Sequence, residues 1–364
     1  MQIISTTIKK QRLFALDVFR GLTIAGMIIV NAPGTFGQLS HAYWEGVTLA
    51  DLVFPFFLFI VGVAISLGLK NFDPKTADPK PLIKKIIRRT IILFILGLFV
   101  NLLYTEFSAF RILGVLQRIA LVYFVCSIMV IYMTHKQMVY VSIFILVTYW
   151  FFILLVPAPG LERGLLIRGE NIINWFDMRF LPGMLWRGTW DPEGILSTYP
   201  SIVSGLLGIF AGRIILKSKD LRDTVMAMFV YGFLWFIIGY CWGFFFPFIK
   251  QVWTSTYVLV TGGIAAMVLA LMLWYTDIKG LRSGTYVAGV FGTNAITAYV
   301  FHVAVEKFFD LELGGNSLRG IYTGFTESIG INSVVSVTIW VIFFVSVCFV
   351  PIWVMYKRKI FVKI

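Results

Sequence analysis

Residues 47–69 read VTLADLVFPFFLFIVGVAISLGL, with Asp51 as the single charged side chain in 23 positions. About 20 mostly apolar residues cross a bilayer core as a helix, so this run predicts a membrane span. Working outward, comparable runs lie at 18–35, 88–106, 112–133, 138–156, 195–216, 224–246, 255–276, 285–305 and 332–356. The whole chain of 364 residues is 59% apolar and 13% charged, with mean hydropathy +0.87. A soluble domain has no means of hiding about ten such segments in one core. The fold expected is all-α: a polytopic membrane bundle of about ten helices, forming a single domain over 1–364.

Charge sets the orientation. Lys9, Lys10 and Arg12 precede the first run; Lys70, Lys75, Lys80, Lys84, Lys85, Arg88 and Arg89 follow the second. Loops rich in Lys and Arg stay in the cytoplasm. Alternating from there puts both termini inside, with about 22 of the 31 Lys and Arg on the inner side. The pI of about 9.6 then reports sidedness and attraction to anionic lipids, and nucleic acid is not an expected partner. The first run has no cleavage site of small residues and reads as a retained span. Cys126, Cys241 and Cys348 lie in apolar runs without metal-ligand spacing and read as small core residues. No metal is expected.

Polar groups at membrane depth are costly and mark cavities or partners. Asp17 and Arg20 share a helix face and either pair or meet a phosphate. His41 lies just outside the first span. Asp51 either receives its imidazole N–H or caps the second helix. Gln117 and Arg118 sit in the fourth span, where a buried guanidinium suits phosphate or carboxylate or pairs internally with Glu106 or Asp51. Asp191 and Glu193, flanking Pro192, open the sixth span; they cap it or face an outward cavity. His302, behind Asn294 and Tyr299, ends at the level of His41. His135 reads as a solvated inner-loop residue. HExxH, CxxC, Walker A and GxSxG patterns are missing. Histidine acid–base or relay chemistry remains, or transport without chemistry; a polytopic sugar permease is the alternative reading, although the internal repeat of many transporters is missing.

The segments from Arg12 through Asp17 and Arg20 to Gly21, from Trp44 through Asp51 to Pro55, from Gly114 to Arg118, from Asp191 to Leu196, from Gly292 to Ile296, His302 and the terminal stretch Tyr356 to Phe361 together resemble the heparan-α-glucosaminide N-acetyltransferase family. The likeness covers essentially the whole chain. It implies transfer of acetyl from cytosolic acetyl-CoA to an amino sugar or glycan on the far side of the membrane. The family's catalytic histidine falls on His41 and its asparagine on Asn31, with Asp51 completing the expected catalytic group. Neutral imidazole can act as general base or as transient acetyl carrier; the direct route is preferred, because a site reached by CoA's long arm needs no carrier. An amide N–H from Asn31 would stabilise the oxyanion by about 3 kcal/mol. Arg20, Arg88, Arg89, Gln117 and Arg118 are the expected acetyl-CoA contacts; Asp191, Glu193, His302 and Asn294 are expected to face the acceptor. By this resemblance the chain is expected to lack the animal family's large N-terminal domain and one preceding span. That implies a bacterial inner-membrane relative, with membrane lipids as further partners and a homodimer left open.

Overall fold

A computed structural model describes residues 13–32, 37–73, 76–105, 110–313 and 315–362. Lys9, Lys10, Arg12, Lys75 and Glu106, used above, lie outside the described residues. Helix α1 (Phe14–Asn31) is followed by a 3₁₀ turn (Gly37–Leu39), α2 (Leu49–Gly68), α3 (Lys80–Tyr104), α4 (Val115–Tyr132) and α5 (His135–Leu155). A long connection carries α6 (Ile172–Phe180), and α7 (Ile195–Lys217), α8 (Leu221–Trp242) and α9 (Ser255–Met272) follow, the last extended by a π-helical turn to Ile278. The chain closes with α10 (Tyr286–Thr293), α11 (Ala295–Asp310), a two-residue hairpin pairing Glu312 with Ser317, α12 (Leu318–Ser328) and α13 (Ser333–Lys357).

Among the described residues, nine helices are long and apolar enough to cross a membrane, and α10 with α11 is a pair bent by 92° that makes ten when counted as one span. The expected straight ninth run is therefore broken. Its break falls at Asn294, whose backbone is non-helical. At this point α10 comes into backbone contact with α1: a Cβ on Gly292 would stand 1.9 Å from the carbonyl oxygen of Asp17. On the other side of the bundle, a Cβ on Gly62 in α2 would meet the carbonyl of Gly205 in α7 at 1.9 Å. Small residues at such crossings let membrane helices approach to backbone distance, where dispersion contacts stabilise the pair.

Helices α2, α7 and α9 are 61, 72 and 72% buried over their apolar windows, against 28, 22 and 22% for α3, α8 and α13. The first three form the centre of the bundle, and the last three present their apolar surface to lipid. Cys126 and Cys348 are buried as expected; Cys241, on α8, is exposed instead, because its helix is peripheral. His135 is exposed at the start of α5, its ring edge on Phe210.

Candidate active site

Residues 37–48 and the start of α2 build one site. Asp51, fully buried, uses both carboxylate oxygens. Oδ1 is 2.8 Å from His41 Nδ1, while Oδ2 accepts from the backbone N–H groups of Ala42 (3.0 Å) and Thr48 (3.1 Å). The two readings offered for Asp51, histidine partner and helix cap, are thus both realised, one by each oxygen. Pro55 cannot donate to the carbonyl four residues back, which is that of Asp51. The hydroxyl of Tyr257 in α9 supplies the missing donor at 2.5 Å. Asp51 is therefore fixed by its own helix start and by the central helix behind it. His41 keeps 41% of its side chain exposed, so the ring is oriented and still reachable.

A cation completes this cluster. Lys250, in the 243–254 connection, places Nζ 2.9 and 3.4 Å from the two ring nitrogens of His41 and 3.3 Å from Asp51 Oδ1. Burial lowers the basicity of its ammonium, against the charges of Asp51 and Glu193. Sequence reasoning missed Lys250; the available signal was a lysine inside the apolar run after α8, at the end of the molecule where Lys and Arg are few.

Asn31, exposed at the end of α1, is paired with His302. Its Nδ2 donates to Nε2 of the buried His302 (3.4 Å), whose Nδ1–H donates to the carbonyl of Tyr299. A carbonyl can only accept, so Nδ1 carries the proton and Nε2 is the acceptor. No direct contact links Asn31 to His41 among the described residues.

A third group lies behind these two. Arg111 holds Asp191 through two bonds (2.8 and 2.6 Å) and Glu193 through one (2.6 Å), with its guanidinium 5.0 Å from the Trp186 ring. Burial works against the charge of Arg111, but the two carboxylates outweigh it and hold the guanidinium above its ordinary value. The cap of α7 is not supplied by Asp191 or Glu193: Asp177 of α6 accepts from Ile195 N at 2.8 Å. A Cβ at Gly194 would fall 1.7 Å from Asp177 Oδ2, which requires glycine there. Burial raises the Asp177 carboxyl to about 7, against the Ile195 N–H and the Arg118 charge that pull it down. Asp191 is thus committed to Arg111 and to Trp186 N, whereas the charge of Glu193 is felt at Lys250.

Arg118 is buried with Ser197 Oγ at 2.5 Å and the Gly194 carbonyl at 3.3 Å, its guanidinium 5.0 Å from the Trp253 ring. It points into this third group and away from the basic end of the bundle. Gln117 is buried against Gly97 and Gly114, neither amide atom partnered among the described residues. Neither lines the cavities described next, so the sequence-based placement of both on the acetyl-CoA side finds no geometric support.

Those cavities open from the end rich in Lys and Arg. One, of about 470 Å³, is lined by Lys85, Arg88, Arg89 and Ser127; the other, of about 550 Å³, by Arg20, Met27, Leu116, Tyr299 and Phe361. Ala64, Ile65, Arg89 and Tyr123 line both, so the two adjoin and share these residues as a wall. Arg89 Nε and Ser127 Oγ are buried without partners among the described residues. Arg20 pairs with Asp17 at 3.6 Å and donates to the Gly292 carbonyl while still facing the cavity. Asn294 belongs at this level and not at the acceptor side: its amide holds the Ile360 carbonyl (3.0 Å) and Val362 N (2.9 Å), seating the chain's last described residues in the cavity wall. The physical reason is the bend, which places Asn294 at the foot of α11, two turns below His302.

Comparison with known proteins follows the same lines. A family model, "Heparan-alpha-glucosaminide N-acetyltransferase, catalytic", matches residues 12–237. The chain is 27% identical to heparan-alpha-glucosaminide N-acetyltransferase of Mus musculus and 27% identical to that of Homo sapiens, over 97% of its own length in each case. It spans about 60% of the length of these curated relatives.

Proposed function

Because this chain belongs to the heparan-alpha-glucosaminide N-acetyltransferase catalytic family, we propose that it moves acetyl from acetyl-CoA, bound from the cytosolic side, to the amine of an amino sugar or glycan at the opposite face of the membrane. The observation that carries this reading is the run of two adjoining cavities. It starts among Lys85, Arg88 and Arg89 and ends at Met27, Leu116 and Tyr299, about one helical turn below Asn31 and His302. The eleven residue steps from Arg20 to Asn31 rise about 16 Å along α1, which suits an extended pantetheine arm with its phosphates among the basic side chains.

In this reading the acceptor nitrogen attacks the thioester carbon. The C–N bond forms, the C–S bond breaks and CoA leaves as the thiolate. His41, held by Asp51, takes the proton released by the amine. His302 fixes one N–H of the Asn31 amide, and the second is available to the developing oxyanion. No covalent carrier is required. The charge asymmetry supports an orientation with the Arg89 end in the cytoplasm, and the location in this reading is the bacterial inner membrane.

Arg88→Gln with Arg89→Gln should raise KM for acetyl-CoA roughly tenfold, as expected for about 1.4 kcal/mol of lost charge-assisted contact, with kcat little changed. Steady-state transfer from labelled acetyl-CoA to glucosamine reads both constants. An unchanged KM would remove the phosphate assignment. A wild-type protein that transports sugar and never consumes acetyl-CoA would support the permease instead.

A further inference from the structure

We propose that Lys250 is the positioning residue that keeps His41 uncharged, by supplying the one cation that Asp51 needs; this rests on the reading of His41 as the base in acetyl transfer. Asp51, His41 and Lys250 lie within 2.8–3.4 Å of one another. A buried carboxylate facing an imidazole alone favours the imidazolium, which is neither base nor nucleophile. Here two groups compete for the single proton that neutralises Asp51. An ordinary lysine holds its proton about four pH units more tightly than an ordinary histidine; burial works against that margin at Lys250, and the charges of Asp51 and Glu193 work for it. By this proposal the lysine carries the positive charge of the cluster, in contact with Asp51 at 3.3 Å, and the imidazole is the neutral partner.

The groups whose charges act on Lys250 come from several elements: Asp51 at the start of α2, Glu193 before α7 and Arg118 in α4, besides the His41 ring in the first connection. The turn that presents Lys250 is built for position. Trp253 adopts φ +55°, a left-handed conformation that costs a bulky residue about 1–2 kcal/mol. It is held there by its N–H to the Lys250 carbonyl (3.0 Å) and its indole N–H to Ser204 (3.2 Å). Gln251 and Phe248 tie the same turn to the His41 connection, through the Ala42 carbonyl (3.2 Å) and the Gly46 N–H (2.8 Å).

The test uses the full chain in detergent with Lys250→Met and Lys250→Arg. Lys250→Met should move the acid limb of the kcat/KM profile upward by about one pH unit or more, recovering activity at high pH, while Lys250→Arg keeps the wild-type limb even at a lower rate. Uniform loss in both variants with an unmoved limb would overturn the proposal and leave Lys250 a structural group. Nitrogen NMR of ¹⁵N-histidine-labelled protein is a second readout independent of turnover; the chain has three histidines, and His41→Gln identifies the signal. Near pH 7 the wild type should show one bare ring nitrogen at His41 and the Lys250→Met protein none. Identical signals would refute the role of Lys250. A wild type inert toward acetyl-CoA would refute the acetyltransferase reading separately.

Discussion

Asp51→Asn should lower kcat/KM for acetyl transfer by roughly ten-thousandfold in a protein that still folds, an effect of the size seen when the carboxylate behind a catalytic histidine is made an amide. The geometry says why a change of so few atoms matters. The oxygen of Asp51 that meets Ala42 N and Thr48 N must remain an acceptor, since both partners are backbone donors. The asparagine oxygen will take that place and turn its NH₂ toward His41 Nδ1. A donor there forces the ring proton onto Nε2, the nitrogen that has to accept the substrate's proton. Asp51→Asn also strands Lys250 without its nearest anion. Steady-state transfer, with size-exclusion elution as the folding control, reads the outcome. A variant within tenfold of wild type would mean that Asp51 is a helix cap and nothing more.

Arg111→Met should destabilise the protein by about 3–5 kcal/mol, the usual consequence of leaving a buried ion pair half occupied. Asp191 and Glu193 are buried and share this one guanidinium. Methionine fills much of the volume and leaves both acids without a cation. Arg111→Lys keeps the charge but loses the fork that meets both oxygens of Asp191, and should fall between. Thermal unfolding in detergent ranks the three proteins. Equal stability of wild type and Arg111→Met would show that the acids take up protons or water at no cost.

The order of spans was legible because bilayer thickness sets helix length, which is written in local composition. The His41–Asp51 pair was legible for a similar reason: a short connection returns the chain to the membrane ten residues later, so the two groups meet at one helix start. Lys250, Tyr257 and Asp177 reach their partners from elements distant in sequence, and no local pattern announces that. Tyr257 matters because Pro55 leaves a carbonyl open, a relation visible only once α9 lies behind α2. Asn294 was misplaced because Gly292-Thr293-Asn294 reads as part of a continuous apolar run, whereas the backbone contact of Gly292 with α1 stops the helix and turns it through 92°. Asp191 and Glu193 looked like helix-capping acids. Arg111, eighty residues earlier, claims them instead, and Asp177 does the capping.

The account stands on acetyl crossing the membrane within one protein. Reconstituted in vesicles oriented with the Arg89 end inward, the protein should convert labelled acetyl-CoA sealed inside and glucosamine supplied outside into acetylated sugar found outside, and His41→Ala should abolish the product. Product that forms only when donor and acceptor share a compartment, or unmodified sugar appearing inside, would contradict it.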